Sequence, residues 1–251
     1  MEFSTVLKES RKARRMSQLD LALEAGVSAR HVSFLETGRA RPSRGMVLAF
    51  ADALHLTPAA RNRALDAAGF APVHTAHALS DAALAPVREA VARMLRRHEP
   101  YPGFALDAEW TVLSANASAL RLFGGIGLAP GRSMLDVIDT AAGAIENWPE
   151  VAPLTAARLR LESAEAGGIA ALDAMADRLE ALGFRRAEDV LPPFVPLRFR
   201  SGDAVLSLIS TLVQFGGVED VTVRELRVEL FHPADEATAT ALEWLARGAS
   251  Q

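Results

Sequence analysis

The chain contains no cysteine, which removes disulfides, thiolate zinc sites and a cysteine nucleophile together. That absence suits a reducing compartment, and the expected location is cytoplasmic. Aromatic residues make up only 6% although half the chain is apolar, a composition that reads as soluble and globular. Long apolar runs are missing as well. The longest stretch without a charge, Ala204 to Val218, has fifteen residues and contains serine, threonine and glutamine, so it is too short for a bilayer and reads as strand. The opening MEFSTVLKESRKARR has no apolar leader and no cleavage site, so no export signal and no membrane contact are expected.

Catalytic signatures are missing too. There is no P-loop, no G-x-S-x-G elbow and no H-E-x-x-H, and the glycines of GGIGLAPG at 124–131 do not have dinucleotide-binding spacing. His74 and His77 lack a third and fourth ligand, and His55, His98 and His232 stand isolated. Neither a metal nor a catalytic residue is expected.

What is present is an uneven division of charge. The net charge is −4, but residues 1–72 carry eleven Lys and Arg against seven Asp and Glu, and the remainder sixteen against twenty-four. A basic head attracts a polyanion such as DNA, while an acidic body of net −8 is repelled by it. The two parts therefore suit different partners.

The head contains MSQLDLALEAGVSARHVSFLE, Met16 to Glu36, which spells two short helices and a tight turn. Ser17 is an N-cap with Asp20 placed to complete a capping box, Gly26 provides a left-handed helix end, and Ser28 caps the second helix. At 100° per residue Ala29, Arg30, Ser33, Phe34 and Thr37 share one face of that helix, with Val32, Leu35 and Ser28 opposite and His31 and Glu36 at the margins. An arginine, a hydroxyl and an aromatic make a poor core but a usable base-reading surface. Phe34 could equally pack on another protein surface, and His31 fits a helix-flank packing role. Arg39, Arg41 and Arg44 follow directly, where phosphate contacts are expected.

Over residues 4–69 the sequence resembles the Cro/C1-type (Xre) DNA-binding domains, through SQLDLA, AGVS, LETGRARPS and AFADALHLTP. The resemblance implies phosphate contacts from Gln18, Arg39, Arg41 and Arg44, base contacts from Ala29, Arg30, Ser33 and Phe34, and a structural ion pair between Arg11 and Glu36. Ser17 and Ser28, at the two helix starts, complete the expected DNA-facing set.

Helices are expected near 4–14, 18–24, 29–36, 44–54 and 58–68, with Pro42 before the fourth and Pro58 opening the fifth. The predicted division is a head over 1–70, a linker over 71–81 and a second domain over 82–251. In the latter, Ser80 caps a connector helix with a stripe of Leu84, Val87, Val91, Met94 and Leu95. GFALDAEWTVLSAN follows as two strands around a turn at 107–109, then helices near 117–123, 133–144, 153–165 and 168–182. Pro192, Pro193 and Pro196 punctuate the approach to strands in LRFRS, AVLSLISTLVQFG and VTVRELRVELF, and a last helix spans 235–247.

Two strands, helices, then three strands is the order of a PAS-like α+β sensor. WTVLSANASALRLFGG resembles the start of PAS domains and, more closely, the C-terminal domain of MmyB-like transcription regulators. RNRALDAAGFAP and PYPGFALDAEW extend the likeness. The middle helices and PPFVPLRFRSG match only loosely. The expected fold class is thus an all-α helix-turn-helix head plus an α+β PAS-like domain. The resemblance implies an apolar pocket for a fatty-acid-like effector between the sheet and its covering helices, with candidate walls Phe104, Trp110, Val112, Leu120, Phe123, Trp148, Leu206, Leu208 and Phe215. The same residues would serve equally as ordinary core.

The function expected is a DNA-binding transcription regulator, a homodimer on a double-stranded operator, with no cofactor beyond such an effector. Two alternatives stay open: a second domain used only for dimerisation or protein docking, and an enzyme with a DNA-targeting head.

Overall fold

The computed structural model describes residues 2–184, 194–216 and 220–247. Pro192 and Pro193 lie outside the described residues. The chain forms two compact units, one from the N-terminus to Ala76 together with Leu159–Asp173, the other His77–Arg158 together with the chain from Ala174 onward.

The first unit begins with five helices, α1 (Phe3–Ala13), α2 (Gln18–Glu24), α3 (Ala29–Glu36), α4 (Arg44–Ala53) and α5 (Pro58–Ala67). Each start from α2 onward is held by a side chain the sequence places there. Ser17 Oγ accepts from Asp20 N while Asp20 accepts from Ser17 N, and Ser28, Ser43 and Thr57 accept from the amides three residues on. Gly26, at φ 66°, carries the chain through the turn after α2 in the left-handed region, where a β-carbon is strained. The core consists of Phe3, Val6, Leu7, Leu21, Val32, Leu35, Val47, Phe50, Leu54 and Leu65 with Ala22 and Ala64. Ala22 is 1% exposed, and a larger side chain there would hold α2 away from its neighbours. At the start of α5, Thr57 donates its hydroxyl hydrogen to the carbonyl of Glu165, and Arg63 donates to the carbonyl of Gly168 at 2.7 Å.

In the second unit a short 3₁₀ turn at Ala82–Leu84 precedes α6 (Ala85–Arg97). The turn is capped by Asp81, not by Ser80 as expected, because the Asp81 carboxylate accepts from Ala83 N. The sheet comprises β1 (Gly103–Leu106), β2 (Val112–Ala115), β3 (Leu197–Ser201), β4 (Ala204–Gln214) and β5 (Arg227–Pro233), all antiparallel in the order β2-β1-β5-β4-β3. α6 is more than a connector: Val91 and Leu95 pack on the sheet face that presents Ala105, Val228 and Leu230.

Between β2 and β3 lie α7 (Ala117–Phe123), α8 (Met134–Ala141), α9 (Trp148–Glu165) and α10 (Ala170–Ala181), and α12 (Glu236–Arg247) ends the described chain. α9 starts five residues earlier than expected. Pro153 falls inside it and does not open it, because the carbonyl of Asn147 already takes the amides of Glu150 and Val151. The other correction concerns VTVRELRVELF, expected as one strand. Val221–Glu225 is a single helical turn, α11, because Asp220 Oδ1 caps it through Val223 N, and only Arg227–Pro233 is extended.

Candidate DNA-reading surface and effector cavity

On α3 the angular division of the sequence appears as burial. Val32 and Leu35 are buried, while Arg30 and Thr37 are exposed and Ala29, Ser33 and Phe34 half-buried. Ser28 departs from that division, for as the cap it precedes the helix and stays exposed. The Arg30 guanidinium lies over the Phe34 ring at 5.2 Å from its centroid. One turn apart, the two side chains form a single stacked surface, which restricts the arginine before any partner arrives. Arg39, Arg41 and Arg44 are exposed and have no hydrogen-bond or ion-pair partner among the described residues. His31 packs against α4, its Nε2 3.0 Å from Met46 Sδ.

Beneath this surface Arg11 Nε and Nη2 donate to the two carboxylate oxygens of Glu36 at 2.6 and 2.9 Å, and Nη1 to the carbonyl of Met16 at 2.6 Å. Gln18, expected at a phosphate, donates instead to Glu36 Oε2 at 2.7 Å. Burial would raise the Glu36 pKa, but hydrogen bonds from Arg11 and Gln18 and the charges of Arg11 and Lys8 outweigh it and hold the carboxyl below its ordinary range. One carboxylate thus fixes α1, α2 and α3 together.

In the second unit a cavity of about 280 Å3 lies between β3, β4 and β5 on one side and α8 and α9 on the other. Trp148, Val151 and Leu154 of α9 and Ile138 of α8 face Leu197, Leu208 and Phe231 of the sheet. Of the candidate walls only Trp148 and Leu208 line it. Phe104 and Phe123 pack with Phe231 at 5.7 and 5.2 Å between ring centroids, and Val112 and Leu206 are fully buried core. Trp110 is buried under the guanidinium of Arg158, 4.9 Å away. Leu120 is 39% exposed, turned outward on α7, and Phe215 packs with the cluster under α6, on the opposite sheet face. The nine candidates were chosen as apolar residues near a sheet, and an inner face supplies more of those than a cavity uses.

Sequence reasoning missed Arg158 and Glu229, which are joined by two 3.1 Å hydrogen bonds at the cavity. Alternation in β5 sets Val228 and Leu230 toward α6, so Arg227, Glu229 and Phe231 belong to the other face. A glutamate in an inner-face position was the available signal.

These two sites define a class: a helix-turn-helix DNA-binding protein carrying a small-molecule sensor. A helix-turn-helix domain model matches residues 2–64, in agreement. The chain belongs to the MmyB-like transcription regulators, whose ligand binding domain matches residues 87–245. It is therefore a ligand-regulated transcription regulator, and both matched families are regulatory. No curated protein matches the chain significantly. Among solved structures it is similar to the PAS domain of Bordetella pertussis BvgS, at 12% identity over 65% of this chain and 99% of that one, with a TM-score of 0.30, too slight a likeness to support a conclusion. No described helix is long and apolar enough to cross a membrane.

Proposed function

We propose that the protein is a homodimeric operator-binding regulator that inserts α3 into the major groove and responds to an apolar small molecule in the cavity between α8, α9 and the sheet. The observation that carries the DNA reading is the solvent face of α3. Arg30 stacked on Phe34 is flanked by three arginines without partners, as base readout framed by phosphate contacts requires. A single module of this size buries limited surface on DNA, and pairing two heads multiplies affinity, so the operator is expected to be two-fold with half-sites about one helical turn apart.

Arg30→Ala is expected to lose about 1–3 kcal/mol and to relax preference at one base position, while Arg41→Ala weakens all sequences alike and lowers the salt slope by about one. Titrations on cognate and random duplexes separate the two, and identical losses on both would remove the face assignment. Phe34→Ala is expected to reproduce the loss of preference of Arg30→Ala, and to add little when combined with it.

The effector reading is supported by the mainly apolar wall of the cavity. Extraction of the purified protein under denaturing conditions, followed by mass spectrometry, is expected to release an apolar compound. If none appears, and no apolar compound raises the melting midpoint of the protein, the second domain is a dimerisation or docking module instead.

A further inference from the structure

We infer that the polar end of the cavity ligand is uncharged, an alcohol, ester or amide in place of a carboxylate or an amine. The inference rests on the cavity being the effector site. Thr155, Arg158, Ser210 and Glu229 bring polar groups to a mainly apolar wall. Two of these are ionic, and they are already committed to each other. Arg158 donates from both terminal nitrogens to the two oxygens of Glu229, at 3.1 Å each, and its cation also lies over Trp110. The Glu229 side chain is 10% exposed, so this pair stands largely out of water. One positive and one negative charge leave the wall with no net charge.

A ligand carboxylate could reach the guanidinium only by displacing Glu229. That would leave a buried carboxylate without its cation beside a second anion, an arrangement that costs far more than the new contact returns. An alkylammonium meets the same obstacle with the signs exchanged. An uncharged group meets no such obstacle. The hydroxyl of Ser210 has no partner among the described residues and can donate to or accept from a hydroxyl or carbonyl. The Thr155 hydroxyl, which donates to the carbonyl of Val151, keeps its lone pairs for a ligand donor. Neither contact disturbs the ion pair. The chemistry that fits is therefore an aliphatic chain with a neutral hydrogen-bonding end.

The test is isothermal titration of the full chain at neutral pH with decan-1-ol, methyl decanoate, decanoate and decylamine, probes that share a chain and differ in the charge at one end. Decanol and the methyl ester are expected to bind about tenfold more tightly than decanoate and decylamine. Arg158→Gln leaves Glu229 without its counter-ion, and decylamine is then expected to gain about tenfold relative to decanol. Decanoate binding the wild-type protein as tightly as decanol would overturn the inference while leaving the cavity as the effector site. No relative gain for decylamine in a folded Arg158→Gln protein would overturn it too. Absence of binding by all four probes would overturn the effector reading and this inference with it. Should Arg158→Gln fail to fold, the wild-type series decides alone.

Discussion

Arg11→Ala is expected to destabilise the head by about 3–5 kcal/mol, the usual result of removing one member of a buried ion pair. The side chains of Arg11 and Glu36 are 11% and 3% exposed, so the orphaned carboxylate cannot turn to water without opening the junction of α1 and α3. Gln18 would remain as one donor to it, replacing none of the lost charge. For a domain of this size such a loss lowers the melting midpoint by on the order of 15 °C or more, which thermal unfolding followed by circular dichroism reads directly. The paired change Arg11→Met with Glu36→Leu should be much milder, because it removes both desolvation penalties. If the single and double variants melt together, the pair does not organise the head.

The same pair gives the head a signed response to pH. Glu36 has a folded pKa below its ordinary value, so its contribution is complete above the unfolded carboxylate range. It is lost as pH falls through the unfolded value and then the folded one. Acid unfolding of the head is therefore expected to steepen below about pH 4.5, the start of that range, and Glu36→Gln should flatten that limb.

Asn116→Asp is the second large effect, and it falls on the other unit. Asn116 Oδ1 accepts from Gly103 N at 3.0 Å and Ala119 N at 2.9 Å, while Nδ2 donates to the carbonyls of Leu95 at 3.2 Å and Tyr101 at 2.8 Å. One side chain, 6% exposed, thereby ties the end of α6 and the start of β1 to the first turn of α7. An aspartate keeps the acceptor but turns a second anionic oxygen toward two carbonyls, leaving both without a donor and facing negative charge. At about 1–3 kcal/mol for each buried group left unpaired, and more where charge is involved, a loss of about 4 kcal/mol or more is expected. Asn116→Ala, which abandons the same four groups without adding charge, should cost less. Urea unfolding of the two variants and the wild type orders them, and equal stability of Asp and Ala would show that the two donors of the amide contribute nothing.

Much of this was legible in the sequence because the head is built from local rules. Ser17, Ser28, Ser43 and Thr57 each act within three residues of where they stand, and the stripe of Val32 and Leu35 needs only the period of a helix. What escaped depended on distant partners. Gln18 reads as a surface amide until Glu36, eighteen residues away, takes its donor. Arg158 and Glu229 are separated by 71 residues, and no local pattern announces that they meet. VTVRELRVELF alternates well enough for a strand throughout, yet a single capping aspartate before it turns its first half into a helix. For the same reason most of the proposed cavity walls proved to be core: sequence identifies the inner face of a sheet, but the empty volume along it depends on how far α8 and α9 stand off.

The division of α9 between the two units bears on any attempt to take the protein apart. Its residues from Trp148 to Arg158 belong with the sheet, and those from Leu159 onward with the five-helix head, where Thr57 and Arg63 hold the turn that follows. A fragment ending near residue 76 would keep every side chain of the head's hydrophobic core, all drawn from Phe3 to Leu65, and so should still fold. It would nevertheless lose the hairpin that Thr57 and Arg63 grip. The sequence boundary of the DNA-binding module and its physical boundary are thus different lines, and a chimera cut at the first would transplant the reader without its attachment to the sensor's helix.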